Sequence, residues 1–334
     1  MITSIYLSSE GALKQGLSED EMRAAVRSGA GTLWVDLFKP TPDEIFVLDE
    51  VFGFHPLAIE DCQHVSRHPK LDEYKNYLFI VFLVPNPSFK PGKSGKGEQA
   101  SNGEEPVQEI DIFLGKNYVV TYRLAALPFL QNLMDRTKRE PQRALGRGAG
   151  LLVHGLLDVA VDQFFAMVAT FQERAEEAEA RIHSRRVRNP LPRVFELRRQ
   201  VLSLRRQMSD HREMIQRVVR GDSGVVPPEA IPYFRDVLDH LRLIEADLEV
   251  CRETIDTARD VYLAIANVRI QEVIRVLTIL FTVTLPIALI TSLYGMNLKY
   301  LPFAQHDLGF FITGGIMLLF CAALYIFLRI KDWL

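Results

Sequence analysis

The sequence predicts an α+β protein in three parts. Residues 1–127 read as a cytoplasmic α/β domain, residues 128–272 as a helical hairpin and stalk helix, and residues 273–334 as a pair of membrane helices. The stalk continues into the first of the pair. Three observations carry this reading. Runs rich in β-branched and aromatic residues are confined to the first third of the chain. Between Pro232 and Tyr294 there is no glycine, and the only proline is Pro286. Two uncharged apolar runs, Val276–Tyr294 and Leu308–Leu328, stand close together after it.

In the first part, Leu33–Leu37 and Tyr77–Leu83 read as strands. Ile110–Leu114 and Tyr118–Tyr122 read as two more, joined by the hairpin signal Gly115-Lys116-Asn117. Pro42–Phe52 reads as a helix, opened by Thr41 or Pro42 with acids in its first turn. Asn86–Pro106 is rich in Gly, Ser, Lys, Pro and Glu and reads as an excursion between strands.

From Pro128 the chain turns helical. Leu151–His183 and Arg193–Arg220 have helical periodicity, and Asn189-Pro190-Leu191-Pro192 forces the bend between them. The second of these helices is rich in arginine. Without interleaved aromatics, and with Glu173, Glu176, Glu177 and Glu179 on the first helix as partners, it reads as a charged helix face rather than a nucleic-acid surface. A third helix over Glu229–Tyr294 would be on the order of 100 Å long at 1.5 Å per residue. A rod of that length needs copies of itself or other helices to cover it, which suggests an oligomer around an axis.

Each apolar run, about 19 and about 21 residues, is long enough to cross a bilayer core. The short link Gly295–Asp307 makes them a hairpin. Arg269 and Arg275 precede the first run, and Arg329 and Lys331 follow the second, so both termini are expected in the cytoplasm. Met1–Gly11 lacks the basic start and apolar core of a signal peptide. The scattered cysteines Cys62, Cys251 and Cys321 suggest a reducing compartment and no zinc knuckle. A net charge of −3 gives no bulk attraction to nucleic acid. No Ser/His/Asp set, Walker loop or glycine-rich nucleotide fingerprint points to an enzyme. His55, His64 and His68 lie close in sequence without a metal-ligand spacing, which favours capping or surface roles.

One face of the third helix carries Asp260, Asn267, Gln271, Ile274, Leu277, Phe281, Leu285, Ala288 and Ser292 at a period near 3.5. A pore lining and a bundle core share that period. The polar residues at its cytoplasmic end tilt the reading toward a hydrated axis, because a dry core would leave them unsatisfied. The stripe leads to Tyr294-Gly295-Met296-Asn297, a small polar turn at the outer mouth of the hairpin.

That tetrapeptide matches the Tyr-Gly-Met-Asn signature of the CorA family of divalent-cation channels. Asp260-Val261-Tyr262-Leu263, Val273–Thr278 and Pro286 match its approach. His55–Asp61 resembles the HPL-x-x-ED element, Arg67-His68-Pro69-Lys70 the RPK element, and Pro232–Val237 the start of the stalk. The resemblance spans essentially the whole chain. It implies a funnel-shaped homopentamer in the cell's inner membrane, with the stripe lining the pore and Gly295, Met296 and Asn297 at the selectivity filter. It implies Mg2+ as transported and regulatory ion, with Co2+ and Ni2+ as further cargo. It also implies regulatory binding at Glu60, Asp61, Asp158 and Asp236, with His240 one turn on. Three departures stand out: Gln271 where relatives carry Asn, Leu301-Pro302-Phe303-Ala304 with Lys299 where they carry an acidic loop, and a tail poorer in lysine. These keep a zinc transporter of the ZntB type, and a weakly conducting membrane-anchored sensor or scaffold, as alternatives.

Overall fold

Seven strands form one sheet in this computed structural model, which describes residues 1–66, 68–89, 106–183, 191–221, 224–296, 302 and 307–331. The strands are β1 (Ile2–Leu7), β2 (Leu13–Gln15), β3 (Thr32–Phe38), β4 (Lys70–Glu73), β5 (Tyr77–Pro85), β6 (Val107–Gly115) and β7 (Tyr118–Arg123). The helices are α1 (Glu19–Ser28), α2 (Pro42–Glu50), α3 (Pro56–Gln63), α4 (Pro128–Arg139), α5 (Pro141–Ala144), α6 (Ala149–His183), α7 (Leu191–Arg220), α8 (Ile231–Tyr294) and α9 (Gly309–Ile330). The chain divides into two units, Met1–Arg259 and Asp260–Leu334.

Strand order in the first unit is β2-β1-β3-β7-β6-β5-β4, antiparallel throughout except for the parallel pair β3 and β7. Helices cover both faces, so the central strands are apolar without alternation. Tyr77, Phe79 and Val81 of β5 join Phe113, Val120 and residues of α1 to α3 in one core. Leu78, Ile80 and Phe82 face the other way, into a core built with α4, α6, α7 and the first part of α8. The four strands expected from the sequence are all present, each longer by one to three residues at an end. Most of the expected excursion after Asn86 lies outside the described residues.

Two buried polar groups fix the sheet. Asp36 and Arg123, on the paired strands β3 and β7, are 3% and 5% exposed and meet at 2.9 Å. Thr121 donates to Asp36 at 2.7 Å, which satisfies a further lone pair. Past Val81, where β4 stops pairing, the Leu83 N–H has no strand partner and donates instead to His211 Nε2 of α7 at 3.0 Å. Burial pulls the His211 imidazole from 6.5 to about 3, so it is neutral and free to accept.

Helix starts follow local chemistry. Ser18 with Glu21, and Thr41 with Glu44, close capping boxes on α1 and α2. His55 caps α3 by accepting from Leu57 N, and His64 Nδ1 lies 3.0 Å from the Glu60 carbonyl at its far end. Both are capping roles, as expected. His68 shows no such role among the described contacts.

The expected partners of the α7 arginines need correction. Arg198, Arg205 and Arg212 pair with Asp256, Glu249 and Glu245 of α8 at 2.8, 3.1 and 2.9 Å, and Arg217 with Glu73 of β4. The acids of α6 are elsewhere because α6 and α7 meet through apolar residues, including Phe164, Val168 and Phe171. Glu173, Glu176 and Glu177 are left exposed on the outer side of α6. That apolar face also explains why α6 has the length and composition of a membrane span. Of its most apolar window 44% is buried in the core, against 0% for α8 and 6% for α9.

Candidate functional site

The expected site residues fall into two sets, a polar cluster in the first unit and a largely apolar stripe in the second. In the first unit, His154 and Asp158 stand one turn apart on α6, and Asp236 and His240 one turn apart on α8. Buried Leu152, Val153, Leu156 and Leu157 on α6 and Phe234, Val237, Leu238 and Leu241 on α8 seat both helices in the same core. Gly150 permits a close approach: a Cβ there would lie 3.0 Å from the Pro227 ring, just before α8. The ligand atoms of His154, Asp158 and Asp236 consequently lie within 4.8 Å of one another. His240 Nδ1 is 3.8 Å from Asp158 Oδ1.

The electrostatics suit a cation. His154 Nε2 and His240 Nδ1 are both buried without a hydrogen-bond partner. Burial lowers the pKa of His154, opposed by Asp158 and Asp236. Burial and then Asp158 raise the carboxyl of Asp162, one turn further along α6. Tyr233 and Phe234 border the His154 ring edge-on.

Asp158, Asp236 and His240, expected from the resemblance, thus come together in one chain. Glu60 and Asp61 do not join them; they stand on α3. Asp61 pairs with Lys70 at 2.7 Å, and Lys70 with Asp72 at 2.7 Å. Asp61 first and Asp72 second hold the Lys70 ammonium well above its usual range. Glu60 lines a surface groove with Phe46, Ile59 and Gln63. His154 was not anticipated. The signal was available: His154, Asp158 and Asp162 repeat at intervals of four along one helix face.

In the second unit, all nine stripe residues from Asp260 to Ser292 are exposed. Phe281 and Leu285 are each 61% exposed, so the described residues leave this apolar face uncovered. Thr278, Ile279, Thr282, Val283, Pro286 and Ile290 are half-buried on another face. Thr278, Thr282, Thr284 and Thr291 each donate to the carbonyl four residues back, so the hydroxyl protons are satisfied within the helix. Gly295 N donates to the Thr291 and Ser292 carbonyls and Met296 N to that of Leu293, which closes the helix end. Asn297 lies outside the described residues.

The whole of this arrangement, sheet domain, 64-residue α8 and second apolar helix, recurs in known proteins. A model of the family described as CorA-like Mg2+ transporter protein matches residues 29–331. The chain belongs to that family. The Bacillus subtilis protein YfjQ is 32% identical over 302 residues, covering 90% of this chain and 89% of its own. The cobalt/magnesium transport protein CorA of Thermotoga maritima is 27% identical over 292 residues, covering 87% and 80%. The structure of the CorA magnesium transporter from Methanocaldococcus jannaschii matches 100% of this chain and 99% of its own with a TM-score of 0.80 at 17% identity, which shows a shared fold.

Proposed function

We propose that this chain assembles as a homopentamer in the inner membrane, with both termini cytoplasmic, and conducts Mg2+ inward. Co2+ and Ni2+ are further candidate cargo. One observation carries the reading: the exposed face of α8 from Asp260 to Ser292 is polar at its cytoplasmic end and apolar from Ile274 to Ala288. Copies arranged around an axis cover that face, and the polar residues then meet water there. Gly295, Met296 and Asn297 form the outer mouth. Amide oxygens of Asn297 hold Mg2+ through its water shell, which suits an ion that dehydrates reluctantly.

Regulation is assigned to Glu60, Asp61, Asp158, Asp236 and His240. The chain's own geometry supports a cation at Asp158 and Asp236, where two carboxylates converge beside orphaned ring nitrogens. Glu60 and Asp61 of a neighbouring copy would complete an oxygen-rich site across the subunit boundary. Asp61 is held there by a half-exposed ion pair, which a divalent cation displaces at little cost. Bound cations cancel the repulsion between facing carboxylates and hold the apolar residues Ile274, Leu277, Phe281 and Leu285 together. Their loss lets the constriction widen and wet.

The test is flux into proteoliposomes with Mg2+, Co2+, Ni2+ and Zn2+ in parallel, with and without a proton gradient. Mg2+ entry that Asn297→Ala abolishes, with assembly intact, supports the reading. Proton-driven Zn2+ entry without Mg2+ entry would make the chain a zinc transporter, and no flux of any ion would make it a sensor or scaffold.

A further inference from the structure

We propose that His154 converts the Asp158 and Asp236 carboxylate pair into a mixed nitrogen–oxygen site within one chain, selective for a borderline divalent cation: Zn2+, Co2+ or Ni2+. The inference rests on the reading of Asp158 and Asp236 as a cation site and adds to it a second ion class.

Geometry comes first. Ligand atoms on one such ion at about 2.0–2.2 Å from it are separated by no more than about 4.4 Å. Those of His154, Asp158 and Asp236 already lie within 4.8 Å of one another, so small side-chain rotations complete the site. All three side chains start from rigid helices seated in a common core, which preorganises them. No partner chain is needed for these three ligands.

Chemistry selects the ion. Imidazole nitrogen suits Zn2+, Co2+ and Ni2+, whereas Mg2+ prefers oxygen and keeps its waters. His154 Nε2 is buried and has no hydrogen-bond partner among the described residues. His240 Nδ1, also buried and unpartnered, is 3.8 Å from Asp158 and supplies a fourth ligand or orients that carboxylate. The nearby Arg147 does not occupy the carboxylates: its Nη2 donates to Tyr233 Oη at 2.6 Å. The consequence is regulation by two ion classes. Mg2+ binds through carboxylates, and a scarce transition metal binds more tightly at the same pair through the histidine.

The test uses the full chain purified in detergent. Zn2+ and Mg2+ binding are measured by calorimetry, and Co2+ binding by its visible absorption bands. The wild type should bind Zn2+ and Co2+ more tightly than Mg2+, with Co2+ bands of nitrogen-containing coordination. His154→Ala should weaken Zn2+ relative to Mg2+ by about tenfold or more, the usual scale for a lost contribution at a metal site. His154→Asn, which keeps polarity and volume, should do the same and stands in if the alanine variant melts early without metal. An unchanged Zn2+-to-Mg2+ ratio in a folded His154 variant overturns the proposal. Asp236→Asn separates the layers. If it weakens Mg2+ while His154→Ala leaves the ratio unmoved, only the histidine site fails. If it weakens neither ion, the cation-site reading beneath it fails as well.

Discussion

The two halves of α8 obey opposite rules. From Phe234 to Ala258 it buries an apolar residue every three or four positions, among them Leu241, Ile244, Leu248 and Ile255, all 0% exposed. Arg198, Arg205 and Arg212 of α7 flank that half with ion pairs. From Asp260 to Tyr294 the same helix buries nothing: Val273, Val276, Leu280 and Leu289 are each more than half exposed. Hydrophobicity is therefore a poor guide to which part of the rod is finished. The lower half is completed by its own chain, and in the proposed assembly the upper half is left for lipid and other copies to complete.

Paired substitutions test this difference most severely. Leu241→Asp puts a charge into a closed core and should cost more than about 4 kcal/mol, enough to prevent folding of the first unit. Leu285→Asp, on the open stripe, should leave the melting of that unit within about 2 °C of wild type. In vesicles it should raise resting cation leak, because a carboxylate wets the constriction. Equal losses of folding from the two changes would erase the distinction between the halves.

The next test moves to the sheet that shares a core with the lower half. Asp36→Asn leaves Arg123 charged and buried, which should cost about 3–5 kcal/mol in denaturant unfolding. Flux per folded molecule should not change. A flux defect without a stability defect would show that the sheet talks to the upper half directly.

Acid provides a graded version. His211 is neutral in the fold at about 3 against an ordinary 6.5, so the unfolded chain binds the extra proton first. Stability is fully present above pH 6.5 and declines as pH falls toward 3, by about 1.4 kcal/mol per pH unit from this group. His211→Gln should flatten that slope in pH-dependent melts, and an unaltered slope would remove His211 as its source.

The smallest effect belongs to the flanking ion pairs. A double-mutant cycle on Arg198 and Asp256 should return about 0.5–1 kcal/mol, since both side chains keep water contact. A coupling near zero would leave the lower half resting on its apolar core alone.

Legibility in the sequence followed the length and purity of each signal. β5 is a nearly continuous apolar run, β7 is rich in β-branched and aromatic residues, and α8 is a long stretch free of glycine, so all three are readable from residue types alone. β2 (Leu13-Lys14-Gln15) and β4 (Lys70–Glu73) are short edge strands of mostly polar residues, made strands only by their neighbours. The α7 arginines were recognised as paired, yet their partners were placed on α6, because sequence shows that acids exist but not which helix face meets which. At the site, Asp158, Asp236 and His240 came through resemblance. His154 is separated from Asp236 by some eighty residues, and only the packing of α6 on α8 brings the two together.

The apolar part of the stripe, Ile274 to Leu285, has a further meaning in terms of voltage. Eleven rises of about 1.5 Å separate its ends, so it is about 17 Å long, more than half of a ~30 Å hydrocarbon core. In the proposed conduit, water stands above and below this segment and is excluded within it when the pore is shut. Most of the membrane potential then falls across those four rings, as across the thin insulator of a capacitor. A divalent ion waiting at the outer mouth feels little of the field, and gains nearly all of its electrical driving force in the single step past Leu285, Phe281, Leu277 and Ile274.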